Sequence, residues 1–407
     1  MSRDLPTAVP PGPAPAQPWN RQRLRSNNEW LLLERLRLGG PSSRAQLARD
    51  TGLSKPTVSA ALAALEHAGL AREAGRFVPE RGRAAVLYEP DPLAGHVLGV
   101  DIGRARLRVA VADLAGDIVA RRDIPNKGRT ANAVADAVVA AAHGATAEAG
   151  LTAADIVHAV VGTPGVWDEQ RRGVRYATSL PGWGRPGLFD RIADGLATTI
   201  TVGNDANLAA HGEYTLGAGR GSGSRMFAYV LVGTGLGVGV VKDGEPLVGA
   251  YGALGEVGLV PLPPRPDGAP GGTIEQAAAA DAVVRTALDL GMTGPLTAKE
   301  VFDAARSGDP LAATAVHRAA GQLAYAVAVL SAVLDPDLIV LGGGIGASAD
   351  LLLDPLGQAL HHLSPMRPAL APSRLGEEAV LLGAVATALD RARVEVFERR
   401  TALGAEV

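Results

Sequence analysis

The sequence predicts an α/β protein with a small N-terminal winged helix-turn-helix followed by a larger, two-lobed α/β domain. Three patterns support this fold class. Two short helical patterns flank a glycine turn between residues 42 and 70, and a strand–turn–strand pattern follows them. Beyond residue 95, strand-rich segments with interspersed helices occur twice, which is typical of a two-lobed α/β domain.

The chain begins with a proline-rich segment. Residues 1–20 are expected to form a disordered tail, because six of the first eighteen residues are prolines. A first helix is expected from about Asn27 to Leu38, since Gly39, Gly40 and Pro41 follow directly and end it.

A helix-turn-helix is predicted at residues 42–70. Ser43 is a candidate N-cap of its first helix, and Gly52 supplies the left-handed residue that a tight turn requires. Ser54 is the candidate N-cap of the second helix, where Pro56 is tolerated because its missing N–H would have no partner in the first turn. Three apolar residues recur at helical spacing and predict the buried face: Val58, Leu62 and Leu65.

The exposed N-terminal end of the second helix predicts DNA contacts. In a helix-turn-helix this end of the recognition helix enters the major groove, close to base edges and phosphates. The candidate DNA-binding residues of the two helices are Arg44, Ser54, Lys55, Pro56, Thr57 and Ser59. The alternative is a pair of packed surface helices without DNA contact, but the turn, the caps and the helix lengths together favour DNA binding.

Two short runs around a basic turn predict a β-hairpin wing, which completes a DNA-binding domain at residues 21–90. The runs cover residues 71–78 and 86–89, and Arg81 and Arg83 flank a glycine between them. Both arginines are expected to contact DNA. They either enter a narrow, A·T-rich minor groove or contact phosphate only, and the sequence leaves both modes open.

The distribution of charge points to a polyanionic partner at the N-terminus alone. Residues 1–90 hold 13 Lys and Arg against 8 Asp and Glu, whereas the rest of the 407-residue chain holds 26 against 34.

The chain has no cysteine, which excludes disulfides and cysteine-based zinc sites. No apolar run of membrane-spanning length and no signal segment is apparent, so a cytoplasmic protein without a membrane partner is expected, associated with the nucleoid when bound to DNA.

The body is predicted to form two lobes, residues 94–203 with a C-terminal helix at about 384–400, and residues 204–383. Buried or alternating apolar runs predict the strands of these lobes, and an alanine-rich stretch predicts a helix at 131–149. The strands are expected at 96–103, 106–113, 118–124, 157–161, 226–232, 237–242 and 338–341.

Glycine-rich and acidic motifs follow one another along the body. They include GTPGVWD at 162–168, NDAN at 204–207, VGTGLGVGVV at 232–241, GALGEVG at 252–258, GTIEQ at 272–276 and DPDLIVLGGGIG at 335–346. In this order they resemble the ROK family, the repressors, open reading frames and sugar kinases that share an actin-like ATPase (ribonuclease H-like) fold. The resemblance extends from about residue 21 to 395, and it is to the regulator branch, which carries the winged helix.

The resemblance implies two phosphate-binding turns. The residues that match them are Asp101 and Gly103 in the first turn, and Gly233, Thr234 and Gly235 in the second. In the first turn Arg104 replaces a glycine and Ala105 replaces a hydroxyl residue, which argues against ATP binding in the family's manner, so no nucleotide cofactor is expected. The second turn looks intact, although a tight hairpin alone would also require its glycines.

The resemblance also implies a sugar site. Its residues are Asn204, Asp205, Glu256 and Glu275, and Asp205 corresponds to the catalytic base of the kinases, here considered vestigial. Leu259 stands where the family usually has a histidine that serves both sugar and zinc, and the cysteine-rich zinc loop is replaced by residues 261–272. No metal and no structural zinc are therefore expected. A degenerate pocket without ligand remains the alternative.

These features favour a transcription regulator of carbohydrate metabolism genes, most often a repressor in this family, and not an enzyme. Its expected partners are double-stranded, palindromic operator DNA, a sugar or sugar phosphate bound between the lobes, and further copies of itself in a homodimer or homotetramer. One alternative is an ATP-dependent, hexokinase-like sugar kinase that has retained a DNA-binding head. Another is a constitutive DNA binder whose body only oligomerises.

Overall fold

The computed structural model describes residues 21–78, 84–177, 182–263 and 271–403, so the tail predicted at 1–20 lies outside the described residues. The chain divides into a smaller unit, Met1–Asp91 with Phe397–Val407, and a larger unit, Pro92–Val396. The N-terminal winged helix and the two-lobed α/β body are both present, which confirms the predicted fold class. Among the described helices, none is long and apolar enough to cross a membrane.

The smaller unit combines three helices with a three-stranded antiparallel sheet. Its elements in chain order are α1 (Arg21–Gly39), β1 (Ser42–Ser43), α2 (Arg44–Thr51), α3 (Lys55–His67), β2 (Ala71–Phe77) and β3 (Ala85–Pro90). The strand order is β1-β3-β2, and β2 and β3 form the predicted hairpin. Helix α1 begins at Arg21, earlier than the expected Asn27.

Local side-chain caps set the turn between α2 and α3. The Ser43 hydroxyl accepts a hydrogen bond from the Gln46 N–H at 3.2 Å. Gly52 then adopts a left-handed φ of 71°, which costs a glycine little. The Ser54 hydroxyl accepts from the Thr57 N–H at 3.3 Å and starts α3. The helices pack on buried apolar residues, which include Leu32, Leu36, Leu47, Val58, Leu62 and Leu65.

The larger unit contains twelve strands and ten helices among its described residues. The strands are β4 (His96–Ile102), β5 (Arg106–Asp113), β6 (Ile118–Pro125), β7 (Ile156–Thr163), β8 (Val166–Asp168), β9 (Gly173–Arg175), β10 (Ile200–Asn204), β11 (Met226–Val232), β12 (Leu236–Lys242), β13 (Glu245–Pro246), β14 (Leu338–Gly342) and β15 (Ala369–Pro372). The helices are α4 (Ala131–Glu148), α5 (Leu188–Leu196), α6 (Asp205–Thr215), α7 (Ile274–Ala278), α8 (Ala280–Asp289), α9 (Ala298–Arg306), α10 (Pro310–Leu334), α11 (Gly343–Gly346), α12 (Ala349–Leu363) and α13 (Ala379–Leu403), of which α13 continues into the smaller unit.

Each lobe of the larger unit is built on a five-stranded sheet. The strand orders are β10-β7-β4-β5-β6 and β13-β12-β11-β14-β15. In both sheets an antiparallel hairpin, β4–β5 or β11–β12, adjoins parallel strands. Because the carboxyl ends of parallel strands meet at one edge of a sheet, the loops that follow β4, β7 and β10 lie together, as do those that follow β11 and β14.

Helices α6 and α13 contribute to a buried cluster shared by the two sheets. Val160 of the first sheet and Val340 of the second belong to this cluster, together with Leu381 of α13. A Cβ atom at Gly383 of α13 would clash with the carbonyl oxygen of Leu208 in α6, so this close helix contact requires glycine. The lobes are therefore joined by a common core.

The final turns of α13, from Phe397 onward, belong to the smaller unit. The ring of Phe397 meets Trp30 of α1 edge-on, with the ring centroids 5.0 Å apart. The Arg400 guanidinium donates hydrogen bonds to the carbonyl oxygens of Ala68 and Gly69, at 3.0 and 2.9 Å. These carbonyls lie just beyond α3, where the backbone has no helical partner of its own.

Candidate functional site

The N-terminal end of α3 presents short polar side chains and one lysine to solvent. Lys55, Pro56 and Ser59 are exposed, and the hydroxyls of Ser54 and Thr57 lie 2.8 Å apart. Within the part of the chain that the structure describes, Lys55 has no ion-pair partner. An exposed, unpaired ammonium group next to small hydroxyl side chains is suited to contact the DNA backbone.

Arg44, at the start of α2, is held in place without being buried. Its guanidinium lies over the Tyr88 ring, 4.9 Å from the centroid, and 3.8 Å from the Glu66 carboxylate. About half of the side chain stays exposed, at 49%. The ring and the carboxylate orient Arg44, and its outer N–H groups remain accessible to an anion.

The predicted wing is described except for its tip. Arg81 and Arg83 lie outside the described residues, so the structure places neither. On the flanking strands, Arg72 is paired with Glu89 at 2.9 Å. Arg76 of β2 is exposed and has no partner among the described residues. Arg76 was not among the predicted DNA-binding residues, although its position beside the basic turn could have indicated it.

A cavity of about 390 Å³ lies between the two lobes of the larger unit. Asn204, Asp205, Glu256 and Glu275 all line it. Asn204 ends β10 and Asp205 begins α6, whereas Glu256 and Glu275 come from segments that follow β12. The structure thus brings the four predicted sugar-site residues to one place, although they are spread over more than seventy positions of the sequence.

The predicted phosphate turns surround the same cavity. Gly103 of the first turn and Gly233, Thr234 and Gly235 of the second line it. Asp101 instead lines an adjoining cavity of about 710 Å³, which shares Gly103, Gly233 and Thr234 with the first. The residues predicted for a sugar site and those predicted for a phosphate site therefore lie next to one another.

The side chain of Asn204 is held by the local backbone. Its Oδ1 accepts from the Asn207 N–H at 3.1 Å and caps α6, and its Nδ2 donates to the Gly165 carbonyl oxygen at 3.1 Å. Asp205 follows in the first turn of the helix, with Oδ1 accepting from the Ala206 N–H at 2.8 Å. These bonds fix both side chains, while a second carboxylate oxygen of Asp205 remains for a ligand.

Burial and neighbouring negative charges raise the pKa of two carboxyl groups of the cleft, Asp205 and Glu256. Burial is the main cause that raises the pKa of Asp205 to about 7; the hydrogen bond from Ala206 opposes the rise, and the negative charges of Asp101 and Glu256 add to it. Burial also raises the pKa of Glu256, with a contribution from Glu275. A carboxyl group that titrates near neutral pH can both accept and donate hydrogen bonds to hydroxyl groups.

The two glutamates differ in how they are held. Glu275 Oε2 accepts from the Leu236 N–H at 2.9 Å, which ties it to the second phosphate turn. A Cβ atom at Gly235 would lie 2.8 Å from this oxygen, so the close approach depends on glycine. Glu256 has no side-chain partner among the described residues. Its carboxylate is therefore the one most available to a ligand.

An internal ion pair lies beside the predicted first phosphate turn. Arg108 lies directly opposite Asp101 in the β4–β5 ladder, and its Nη1 is 3.1 Å from the Asp101 carboxylate. The same guanidinium pairs with Glu377. Burial raises the pKa of Asp101 to about 6 although Arg108 opposes this. Arg108 was not among the site residues predicted from the sequence. The hairpin register, with its turn at Arg104, places Arg108 opposite Asp101 and could have indicated it.

The residue that replaces the family's usual zinc-binding histidine lies on the surface. Leu259, in a short 3-10 turn, is 50% exposed and does not line the cavity. Of the replacement loop at 261–272, residues 264–270 lie outside the described residues. Among the residues that are described, no group of three His, Asp or Glu side chains is arranged to hold a metal ion. The absence of zinc stays a prediction.

Two family matches divide the chain. Residues 97–391 match the ROK family, and residues 31–75 match the IclR helix-turn-helix domain. The first match covers most of the larger unit and the second covers much of the smaller one. They confirm the resemblance inferred from the motifs.

Similar proteins include both kinases and repressors. A glucokinase from Halalkalibacterium halodurans is 31% identical over 284 residues, which cover 64% of this chain and 84% of the glucokinase. A putative xylose repressor from Caldicellulosiruptor is 25% identical over 392 residues, 90% of this chain and 96% of the repressor. Among solved structures, a ROK transcriptional regulator homologous to the E. coli MLC protein has a TM-score of 0.75 at 21% identity, over 93% of this chain and 99% of that chain, and establishes a similar fold.

Proposed function

Since the chain belongs to the ROK family and carries an IclR-type helix-turn-helix, we propose that it is a DNA-binding transcription regulator of carbohydrate genes. It acts as a repressor, and a sugar or sugar phosphate bound between the lobes of the body controls its DNA affinity. The observation that carries this proposal is a cavity lined by Asn204, Asp205, Glu256 and Glu275 in a chain that also presents a DNA-binding helix.

The smaller unit has the features that operator binding needs. The end of α3 is exposed and carries the unpaired Lys55, and Arg44 is oriented beside it on α2. Palindromic operators present two half-sites, so we propose that the protein binds as a homodimer or homotetramer. The likeness to a putative xylose repressor over 90% of the chain supports this function.

The cleft has the features that recognition of a sugar needs. Carboxylate and amide groups can each bind two neighbouring hydroxyls of a sugar. Glu256 is unpaired and Asp205 keeps one oxygen without a structural hydrogen bond. A ligand changes DNA affinity only if it binds two states of the protein with different affinity. We propose that closure of the lobes on the sugar distinguishes these states.

The alternative function is ATP-dependent phosphorylation of a sugar. The retained Asp205 and the likeness to a glucokinase favour it. Two features oppose it: Arg108 pairs with Asp101 in the first phosphate turn, and Ala105 has no hydroxyl to offer a phosphate. We therefore propose that the body does not turn over ATP.

The experiment that tests the proposal is a sugar titration of a protein–DNA complex. Operator fragments are first selected from genomic DNA with the purified protein, and their release by a panel of sugars and sugar phosphates is followed by fluorescence anisotropy. Glu256→Ala should need about ten- to a hundredfold more sugar for release, because a hydrogen bond to a charged group is lost. Glu245→Ala, an exposed glutamate outside the cavity, is the matched control.

Three outcomes separate the alternatives. Release by sugar that depends on Glu256 supports the proposal. Sugar-dependent ATP consumption that Asp205→Asn abolishes would favour the kinase. Tight operator binding that no sugar or sugar phosphate changes would leave a constitutive DNA binder.

A further inference from the structure

Three arginines, Arg104, Arg106 and Arg108, crowd the turn between β4 and β5, but only one of them is unpaired. Arg106 is 2.6 Å from the Asp123 carboxylate, and Arg108 pairs with Asp101 and Glu377. For Arg104 the described part of the chain offers no ion pair and no side-chain hydrogen bond. A guanidinium without a counter-ion is the one of the three that can take an external anion.

Arg104 lines the same 390 Å³ cavity as Asn204, Asp205 and Glu256. Arg104 has no described ion pair with Asp205 or Glu256, so one cavity holds both an unpaired positive side chain and acidic side chains. A cavity of this volume is within the range that holds a small ligand. A ligand that binds both kinds of side chain would carry hydroxyl groups, which hydrogen-bond to the carboxylates, and an anionic group, which pairs with the guanidinium.

The neighbouring wall of the cavity also suits an anion. Thr234 is exposed there, and the structure describes no hydrogen-bond partner for its hydroxyl. The second predicted phosphate turn and the glycine turn after β14 lie side by side. A Cβ atom placed on Gly233 would be 3.9 Å from the backbone nitrogen of Gly344. Backbone that lacks side chains permits close approach of phosphate oxygens.

We propose that the effector is a phosphorylated sugar whose phosphate is bound by Arg104 and whose hydroxyl groups are bound by Asp205 and Glu256. The proposal rests on the proposed function, and it narrows the ligand class of the same cleft. Arg104 is the specificity residue in this assignment. The substitution that removes the kinase-type glycine thereby creates a site for a phosphate that is already attached to the sugar.

Direct binding measurements test the proposal. Isothermal titration compares neutral sugars with their phosphates, in pairs such as glucose with glucose 6-phosphate and N-acetylmannosamine with its 6-phosphate, and includes inorganic phosphate alone. The phosphorylated member of at least one pair should bind the wild type at least tenfold more tightly than its parent sugar. Arg104→Gln should remove about ten- to a hundredfold of that affinity, and Arg104→Lys should restore part of it.

The controls distinguish this proposal from the one it rests on. Arg225→Gln changes an 82% exposed arginine that directly precedes β11 and does not line the cavity, and it should leave binding unchanged. If neutral and phosphorylated sugars bind equally and Arg104→Gln has no effect, the phosphate assignment is overturned while the sugar-responsive regulator stands. Operator binding with no response to any sugar or sugar phosphate would overturn both.

Discussion

Arg108 faces Asp101 across the β4–β5 ladder, and its guanidinium lies 3.1 Å from the Asp101 carboxylate. Asp101 is 5% exposed, so this contact is its main source of compensating charge. The resemblance of this segment to the ROK sugar kinases implies a phosphate site at the turn that follows Asp101. Arg108 of the next strand therefore stabilises a buried carboxylate beside the turn that was expected to resemble a phosphate site.

Loss of Arg108 should leave Asp101 buried and uncompensated. We expect Arg108→Met to lower the free energy of unfolding by roughly 3 kcal/mol, because removing one partner of a buried pair costs more than the pair contributes. The cost should grow from pH 5 to pH 8 as Asp101 ionises, since its folded pKa of about 6 rises further without Arg108. Urea denaturation at the two pH values measures it.

The double variant Asp101→Asn/Arg108→Met should recover most of that stability. Arg121→Met, which breaks the exposed pair with Glu378, is the matched control and should cost at most about 1 kcal/mol. An equal loss in both single arginine variants would show that burial of Asp101 does not matter.

Lys55 should contribute to DNA binding through phosphate. Lys55→Ala is expected to weaken binding to all sequences and to reduce the slope of log affinity against log salt by about one, since each neutralised phosphate releases a counter-ion. Anisotropy titrations between low and moderate salt measure both quantities. Lys299→Ala, an exposed lysine of the larger unit, should change neither. An unaltered slope in Lys55→Ala would remove this residue from the interface.

Arg400 should stabilise the smaller unit. Arg400→Ala removes two hydrogen bonds to the carbonyl oxygens that follow α3, and we expect a loss of about 1–2 kcal/mol. Hydrogen exchange should become faster in peptides that cover residues 55–70 and stay unchanged in those that cover 226–242. Arg399→Ala, an exposed neighbour for which the described structure gives no partner, serves as the control. Protection of residues 55–70 at the wild-type level would contradict the proposed role.

The protonation of Asp205 should make stability depend on pH. Its folded pKa of about 7 lies above the ordinary value of 3.8, so the native state holds a proton that the unfolded state has lost between these pH values. Stability contributed by this group is therefore present at low pH and declines as the pH rises towards 7. Asp205→Asn should match the wild type near pH 4 and have a higher Tm at pH 8, by roughly 2–4 °C for each kcal/mol that burial of the ionised carboxylate costs the wild type. A constant difference in Tm across this range would count against a raised pKa.

Much of the architecture could be predicted because the signals are local. The caps at Ser43 and Ser54 and the turn at Gly52 act within four residues, and all three are as expected. The strands of the body also follow their apolar patterns closely, as at β11 and β14. The helix boundaries were predicted less closely, since α1 begins at Arg21 and α13 at Ala379, each about five residues earlier than expected.

The sequence by itself determined the winged helix and the two lobes, because caps and hydrophobic periods act over short spans. The polar residues of the cleft followed from the resemblance of the ordered motifs to the ROK family. Only the tertiary structure decided which charges remain free. In the sequence, Arg104, Arg106 and Arg108 are three arginines at alternate positions, and nothing distinguishes them. Which of them forms an ion pair depends on strand register and on Glu377, which is more than 260 residues from Arg108. The tertiary structure also decided that Arg400 donates hydrogen bonds to the backbone carbonyl oxygens that follow α3. Such pairings depend on how distant segments meet, and no local physical rule contains that information.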